Sequence, residues 1–301
     1  MLRALVLLLI PLSLCGQTPG PKDNRVLLPN AWWLSPAGEQ IQVGDLPMNA
    51  ALYDGRKPND QRYLAVLDGG QSGADVRLVD LVQKTVVDSV KLKDAWQGIR
   101  FAGDLLYVSG GFQNCVYRFQ LNEGRLTAVD TISFELPKPK YAGGAAGLDV
   151  FRNTLAVVFR YDSTLRYANL KTKTTDKVKL PGMPYSCVYA NDGTLLVSLW
   201  SSAKVQAYRG TQLLYEFKVG DHPNEITLSA NSHYAYVANA NDNSVSVIDL
   251  KARRTIAHAS TSIHPDSPEG STTNSVTLTA NSRYLLAANA DNNSLTVMKW
   301  Q

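Results

Sequence analysis

The chain has 301 residues, 45% of them hydrophobic and 19% charged, and 30 Lys and Arg against 26 Asp and Glu leave a formal charge of +4. With its basic residues scattered rather than clustered, a chain of so small a charge excludes a nucleic-acid-binding footprint. After the opening residues no stretch approaches the roughly 20 apolar residues of a transmembrane helix, and the length suits one or two domains.

The opening, MLRALVLLLIPLSLCGQ, carries one positive charge at Arg3, then an apolar run over 4–14 broken only by Pro11 and Ser13, then small residues. That is the composition of an export signal, expected over residues 1–15. Ser13 and Cys15 suit cleavage after Cys15, whereas a lipoprotein signal would retain Cys15 as its lipidated residue. Leu14 stands where such signals normally carry a small residue. The organisation read from this is a signal peptide at 1–15, a linker at 16–24 and a single repeat domain at 25–301, in a periplasmic or secreted protein.

From there the chain repeats one phrase six times. The most apolar short runs fall at 63–67, 105–109, 155–159, 195–199, 234–238 and 284–288, spaced by 40 to 50 residues. Each is rich in Val, Leu and Tyr and bounded by Gly, Asn, Asp or Ser, as a buried strand is. Before each comes an alternating segment closed by a polar turn, such as Asn231-Ser232. After it comes a third segment, as at 76–80, 116–119, 205–208, 245–249 and 295–298, and in the first five copies a fourth, as at 85–90 and 214–219. Four antiparallel strands per unit at this period make a propeller blade, which hides its two apolar faces only by stacking against its neighbours. The expected fold is therefore an all-β propeller, its innermost strands apolar on both sides and its outer strands alternating.

The two ends leave two closures open. Val43-Gly-Asp-Leu-Pro47 matches Val219-Gly-Asp-His-Pro223, the link from a fourth strand to the next first strand. Residues 40–43 thus read as a fourth strand and 31–35 as a third, with no blade of their own upstream, while copy six ends after its third strand. Either 40–43 completes copy six and closes a six-bladed ring, or a seventh copy is missing and the chain is part of something longer.

Copy five, with Asn231-Ser-His-Tyr234, Tyr236-Val-Ala-Asn239 and Ser244-Val-Ser-Val-Ile-Asp249, resembles the YVTN-type β-propeller repeat; copy six fits nearly as well, with Leu285-Leu-Ala-Ala-Asn289. The segment from Arg25 to Gly38, followed by Gly44-Asp-Leu-Pro47, resembles the start of exported bacterial proteins in which a YncE-like propeller precedes an alkaline-phosphatase-type phosphoesterase domain. In those relatives the propeller has seven blades, which favours the incomplete ring here, and the resemblance implies a binding or scaffolding module for that domain or another partner.

Propellers bind at the mouth of the axial channel, where loops enter the innermost strands. The corresponding positions are Asn49, Trp96 with Gln97, Gly147, Tyr185 with Ser186, Asn224 with Glu225, and Asn274. They describe an amide-lined pocket with aromatic walls, suited to a small polar ligand or a peptide turn. The competing reading is that the three Asn residues bond nearby backbone and only hold turns.

The repeat pattern also resembles propeller lactonases, which makes hydrolysis at the channel mouth the alternative function. Their calcium-dependent type needs carboxylates converging on the axis. Glu225 is the only acid among the mouth positions, with Asp149 and Asp221 nearby, so no cofactor is expected and calcium would be held weakly at best.

Cys115 and Cys187 lie in different phases of different repeats, which argues against a disulfide framework and for core thiols. His222, His233, His258 and His264 have no spacing that makes a triad or a zinc site. The loop His264-Pro-Asp-Ser-Pro-Glu-Gly-Ser271, the longest insertion before a first strand, either contacts a partner through Asp266 and Glu269 or is simply solvated. The protein is expected to be a monomer.

Overall fold

A computed structural model describes residues 18–23, 25–29, 31–35, 38–53, 55, 62–135, 143–264 and 270–299, so the expected signal peptide at 1–15 and most of the loop at 264–271 lie outside it. Among the described residues every regular element is a β-strand. The chain divides into two units, residues 1–40 and 41–301. In the first, the short strands Gly20–Lys22, Arg25–Leu27 and Trp33–Leu34 pair antiparallel in that order, and the Arg25 guanidinium lies 4.6 Å from the centroid of Trp33. The strand expected at 31–35 is therefore the Trp33–Leu34 pairing of this small sheet.

The second unit contains six antiparallel sheets. Blade one is Pro47–Leu52, Tyr63–Asp68, Asp75–Asp80 and Thr85–Lys91, and blade two is Ile99–Ala102, Leu105–Ser109, Cys115–Asn122 and Arg125–Ser133. Blade three is Ala145–Phe151, Thr154–Phe159, Thr164–Asn169 and Thr175–Lys179, and blade four is Pro184–Tyr189, Leu195–Leu199, Lys204–Arg209 and Gln212–Lys218. Blade five is Pro223–Leu228, Tyr234–Asn239, Ser244–Asp249 and Arg254–Ser260, and blade six has three strands, Thr273–Leu278, Tyr284–Asn289 and Ser294–Lys299. The first strands of all six border one cavity, which places the blades around a shared axis.

Two expectations are corrected. Residues 40–43 form no strand; the backbone carbonyl of Val43 is instead taken by the Arg77 guanidinium, so a side chain replaces the ladder partner. The wholly apolar runs are not the innermost strands but the second ones, sandwiched between neighbouring blades on both faces, as in Leu195–Leu199, buried throughout. The innermost strands border the cavity on one side and carry polar residues such as Asn49, Glu225 and Asn274.

Packing between blades supplies the core. Leu196, Val205 and Phe217 of blade four close on Ile226, Ala235, Val237 and Ile248 of blade five. Each such Leu, Ile or Val contributes roughly 1.5–3 kcal/mol by leaving water. Blade six buries Leu285 and Ala287 against Val245 and Val247 of blade five, while its other face exposes Tyr284, Leu295 and Val297.

The Asn that ends each YVAN-like run has a structural task. Asn239 Nδ2 donates to Ser244 Oγ and Ser246 Oγ, both at 2.8 Å, and Asn289 Nδ2 donates to Thr296 Oγ1 at 2.8 Å. Both amides are buried, and these bonds satisfy groups that would otherwise be costly to desolvate. Asn231 and Asn281 hold the polar turn by accepting from the backbone amides of His233 and Arg283, each at 3.0 Å.

Candidate functional site: the axial cavity

The cavity on the axis has a volume of about 340 Å³. Of the nine positions expected at the mouth, seven line it: Asn49, Gln97, Gly147, Tyr185, Ser186, Glu225 and Asn274. Asn49, Tyr185, Glu225 and Asn274 lie within the first strands themselves, not in the loops before them. Trp96 packs instead against Phe112 and Tyr161, each at 5.7 Å between ring centroids, and Asn224 is buried behind the wall.

The amides stitch the blades together, which supports the structural side of the sequence reading without removing them from the cavity. Asn49 Nδ2 donates to the Gln97 carbonyl at 2.8 Å, and Asn224 Nδ2 donates to Asn274 Oδ1 at 2.7 Å. Gln97 Nε2 donates to the Tyr185 carbonyl at 3.0 Å, reaching from blade two to blade four. It passes blade three because Gly147 has no side chain: a Cβ there would lie 2.6 Å from Ser186 Cα and 2.7 Å from the Tyr185 carbonyl oxygen. Gln97 Oε1 and Asn224 Oδ1 are enclosed and accept no hydrogen bond.

Glu225 is the only carboxylate among the cavity-lining residues. Desolvation pushes its pKa above the ordinary value, opposed by the Ser275 hydroxyl, which donates to Glu225 Oε2, and by the backbone amide of Val276. Asp149 and Asp221 do not join it. Asp149 is buried, pairs with Arg100 at 3.1 Å and accepts from the Tyr189 amide at 2.8 Å. The Asp221 carboxylate lies 2.7 Å from His222 Nδ1.

The described residues bring no three His, Cys, Asp or Glu side chains together, and a lone carboxylate among amides does not fit calcium. His222 packs edge-on against Trp200, His233 stacks on Tyr234, and His258 Nδ1 meets Ser246 Oγ at 3.0 Å, so three of the four histidines are dispersed over separate tasks. Cys115 and Cys187, the two cysteines among the described residues, are buried and form no disulfide, and burial raises the pKa of each.

Sequence reasoning missed Arg160, Trp200 and Ser275. Arg160 and Trp200 immediately follow the second strands of blades three and four, so superposing the copies on their apolar runs sets both at one register. The Arg160 guanidinium sits 5.5 Å from the centroid of Trp96, 5.1 Å from that of Tyr185 and 5.5 Å from that of Trp200.

The structure is similar to that of a protein from Lactobacillus plantarum, with 15% identity and a TM-score of 0.71 over 92% of this chain and 87% of that one. It is similar to hydrazine synthase from Kuenenia stuttgartiensis, with 15% identity and a TM-score of 0.69 over 92% and 90%. A periplasmic gluconolactonase from Pseudomonas aeruginosa is also similar, with 16% identity and a TM-score of 0.65 over 85% and 81%. No family model matches the chain, and no curated protein does. At these identities the likeness carries the fold alone: the protein is a β-propeller. It does not extend to the YVTN-type family or to a phosphoesterase link.

Proposed function

We propose that this chain is an exported β-propeller hydrolase that opens a small polyhydroxylated lactone in its axial cavity, with Glu225 as general base. The observation that carries the reading is Glu225 itself, a carboxylate in the cavity wall whose pKa is raised by desolvation and whose Oε2 is held by Ser275. Raising a carboxylate toward neutrality improves its match to proton abstraction from water. Asn274 accepts from Asn224 through Oδ1, so its Nδ2 amide serves as donor to the oxygen that becomes negative during attack.

The step balances within the site. Water oxygen attacks the lactone carbonyl carbon, and its proton passes to Glu225. The ring C–O bond then breaks, and the departing alkoxide takes that proton back. The cavity volume falls within the range of small-molecule sites, about 300–1,000 Å³. The similar Pseudomonas structure is described as a periplasmic gluconolactonase, which supports the substrate class and the export reading by analogy of fold. The apolar run behind Arg3 supports export independently.

The test is pH-stat titration of glucono-δ-lactone and related lactones. The expected result is hydrolysis above the spontaneous rate, insensitive to chelator and reduced roughly a hundredfold or more by Glu225→Gln. No rate above background for any of these lactones, or an undiminished rate in the variant, would overturn the reading.

A separate observation favours a binding or scaffolding role: the exposed face of blade six, with Leu295 at 57% and Val297 at 59% exposure. On that reading Val297→Lys abolishes association with a protein partner, such as a phosphoesterase domain, and leaves lactone hydrolysis unchanged.

A further inference from the structure

Among the described residues Arg160 is a cation without a carboxylate partner. Its backbone amide donates to the Gly144 carbonyl at 3.0 Å, which pins the turn after the second strand of blade three. Its side chain is then held among Trp96 from blade two and Tyr185 and Trp200 from blade four. Among the described residues Arg160 Nη2 meets only Met183 Sδ, at 3.4 Å, and Nε is enclosed with no acceptor. Burial among the rings lowers the guanidinium pKa, and the charged-state influences on it come from Tyr185 and Tyr161, not from any Asp or Glu.

A half-buried guanidinium whose Nε is enclosed without an acceptor is destabilising unless something else compensates it. Ring faces offset part of the desolvation through cation–π attraction but accept none of its N–H bonds in the manner of an oxyanion. Arg166, which is buried, shows what a structural role looks like: it donates to Asp162 at 2.6 Å, to the Glu135 carbonyl at 2.7 Å and to Thr164 at 3.2 Å. Arg160 has no comparable set.

We propose that Arg160, caged by Trp96, Tyr185 and Trp200, is a binding site for the oxyanion of a small organic ligand. Tyr185 belongs to both the cage and the cavity wall, so a ligand anchored here lays its organic body against the rings and toward the axial cavity. The chemistry shared by the eligible ligands is a carboxylate or phosphate on a body small enough to enter. The inference goes beyond the proposed hydrolysis, since it concerns binding and is measured without turnover.

The experiment titrates the protein with phenyl phosphate, glucose 6-phosphate, benzoate, gluconate and inorganic phosphate, with benzyl alcohol as the neutral control. Tryptophan fluorescence and thermal melting are recorded for the parent and for Arg160→Met. In the parent, at least one organic anion is expected to shift the fluorescence saturably and raise Tm, while benzyl alcohol does neither; ligand that binds only the native state must stabilise it. In Arg160→Met both responses are lost, and the variant without ligand melts no lower than the parent, because it removes an uncompensated cation.

Preference for the two phosphate esters over benzoate and gluconate identifies a phosphate ligand, and the reverse preference a carboxylate. Arg160→Lys is the second variant, should the Met variant not fold; it keeps the charge but loses the planar fork, and affinity is expected to fall roughly tenfold. Absence of a saturable response to every anion in the folded parent would overturn the proposal, as would an equal response in the parent and the Arg160 variants.

Discussion

Glu225 and Ser275 stand on the neighbouring first strands of blades five and six, and the Ser275 hydroxyl donates to the Glu225 carboxylate. The bond favours the ionised acid, yet desolvation is the larger influence and the pKa is raised. Native protein therefore holds this proton to higher pH than the unfolded chain. Stability falls as pH rises from the unfolded value, about 4.3, through the raised native value. Glu225→Gln removes that slope. Melting curves of parent and variant are expected to coincide at low pH and to diverge upward from there, the variant melting higher at pH 7; parallel curves across the range would contradict the assignment.

Gln97 reaches Tyr185 only because Gly147 leaves the path clear. A methyl group at Gly147 would meet backbone atoms of Tyr185 and Ser186, which have no rotamer to turn away. Gly147→Ala is therefore expected to push the first strands of blades three and four apart, at a cost of about 1–3 kcal/mol. Urea unfolding measures it. The same variant should loosen the cavity wall, so any lactone hydrolysis falls with it, while Gly210→Ala, with nothing within 4 Å of its Cβ position, alters stability only through its own positive φ.

Val247 and Val297 match in the repeat, yet the first is 1% exposed and the second 59%. Val247→Ala is expected to cost about 1.5–3 kcal/mol, and Val297→Ala to stay within about 0.5 kcal/mol. The pair also marks what the sequence could and could not say. Strand period, turn residues and the YVAN asparagines are local chemistry, so six copies were legible from spacing and alternation alone. Burial depends on which blade lies on the far side, and nothing in Val297 or its neighbours records that.

The site was legible to a similar extent and for a similar reason. Superposing copies picks out the first-strand register, so Asn49, Gln97, Tyr185, Glu225 and Asn274 were found as cavity residues. Trp96 was assigned to the same wall by its place just before the first strand of blade two, but it lies outside that strand and its ring goes to Phe112 and Tyr161. Arg160 was invisible because its cage is assembled from blades two and four, which contribute Trp96, Tyr185 and Trp200 from distant stretches of chain.

The turn from second to third strand offers a test that needs no ligand. Asn243 and Asn293, in matching copies, have φ of 48° and 51°, and Ala203 occupies the corresponding place in blade four with φ of 49°. In this left-handed region the Cβ of an L-residue crowds the next carbonyl, at roughly 1–2 kcal/mol, and Asn tolerates it best among non-glycine residues through its short polar side chain. Ala203 has no such compensation. Ala203→Gly is expected to raise stability by about 0.4–1 kcal/mol after its added freedom in the unfolded chain is subtracted, and Ala203→Asn by a similar amount. Asn243→Ala should lower it by more, because the Asn243 Oδ1 also accepts from the Ser271 amide at 2.7 Å and the Gly270 amide at 3.1 Å, tying the turn to the approach to blade six. Denaturant midpoints for the three variants check the order; an Ala203→Gly midpoint below the parent would mean that the loop relaxes its φ at no cost.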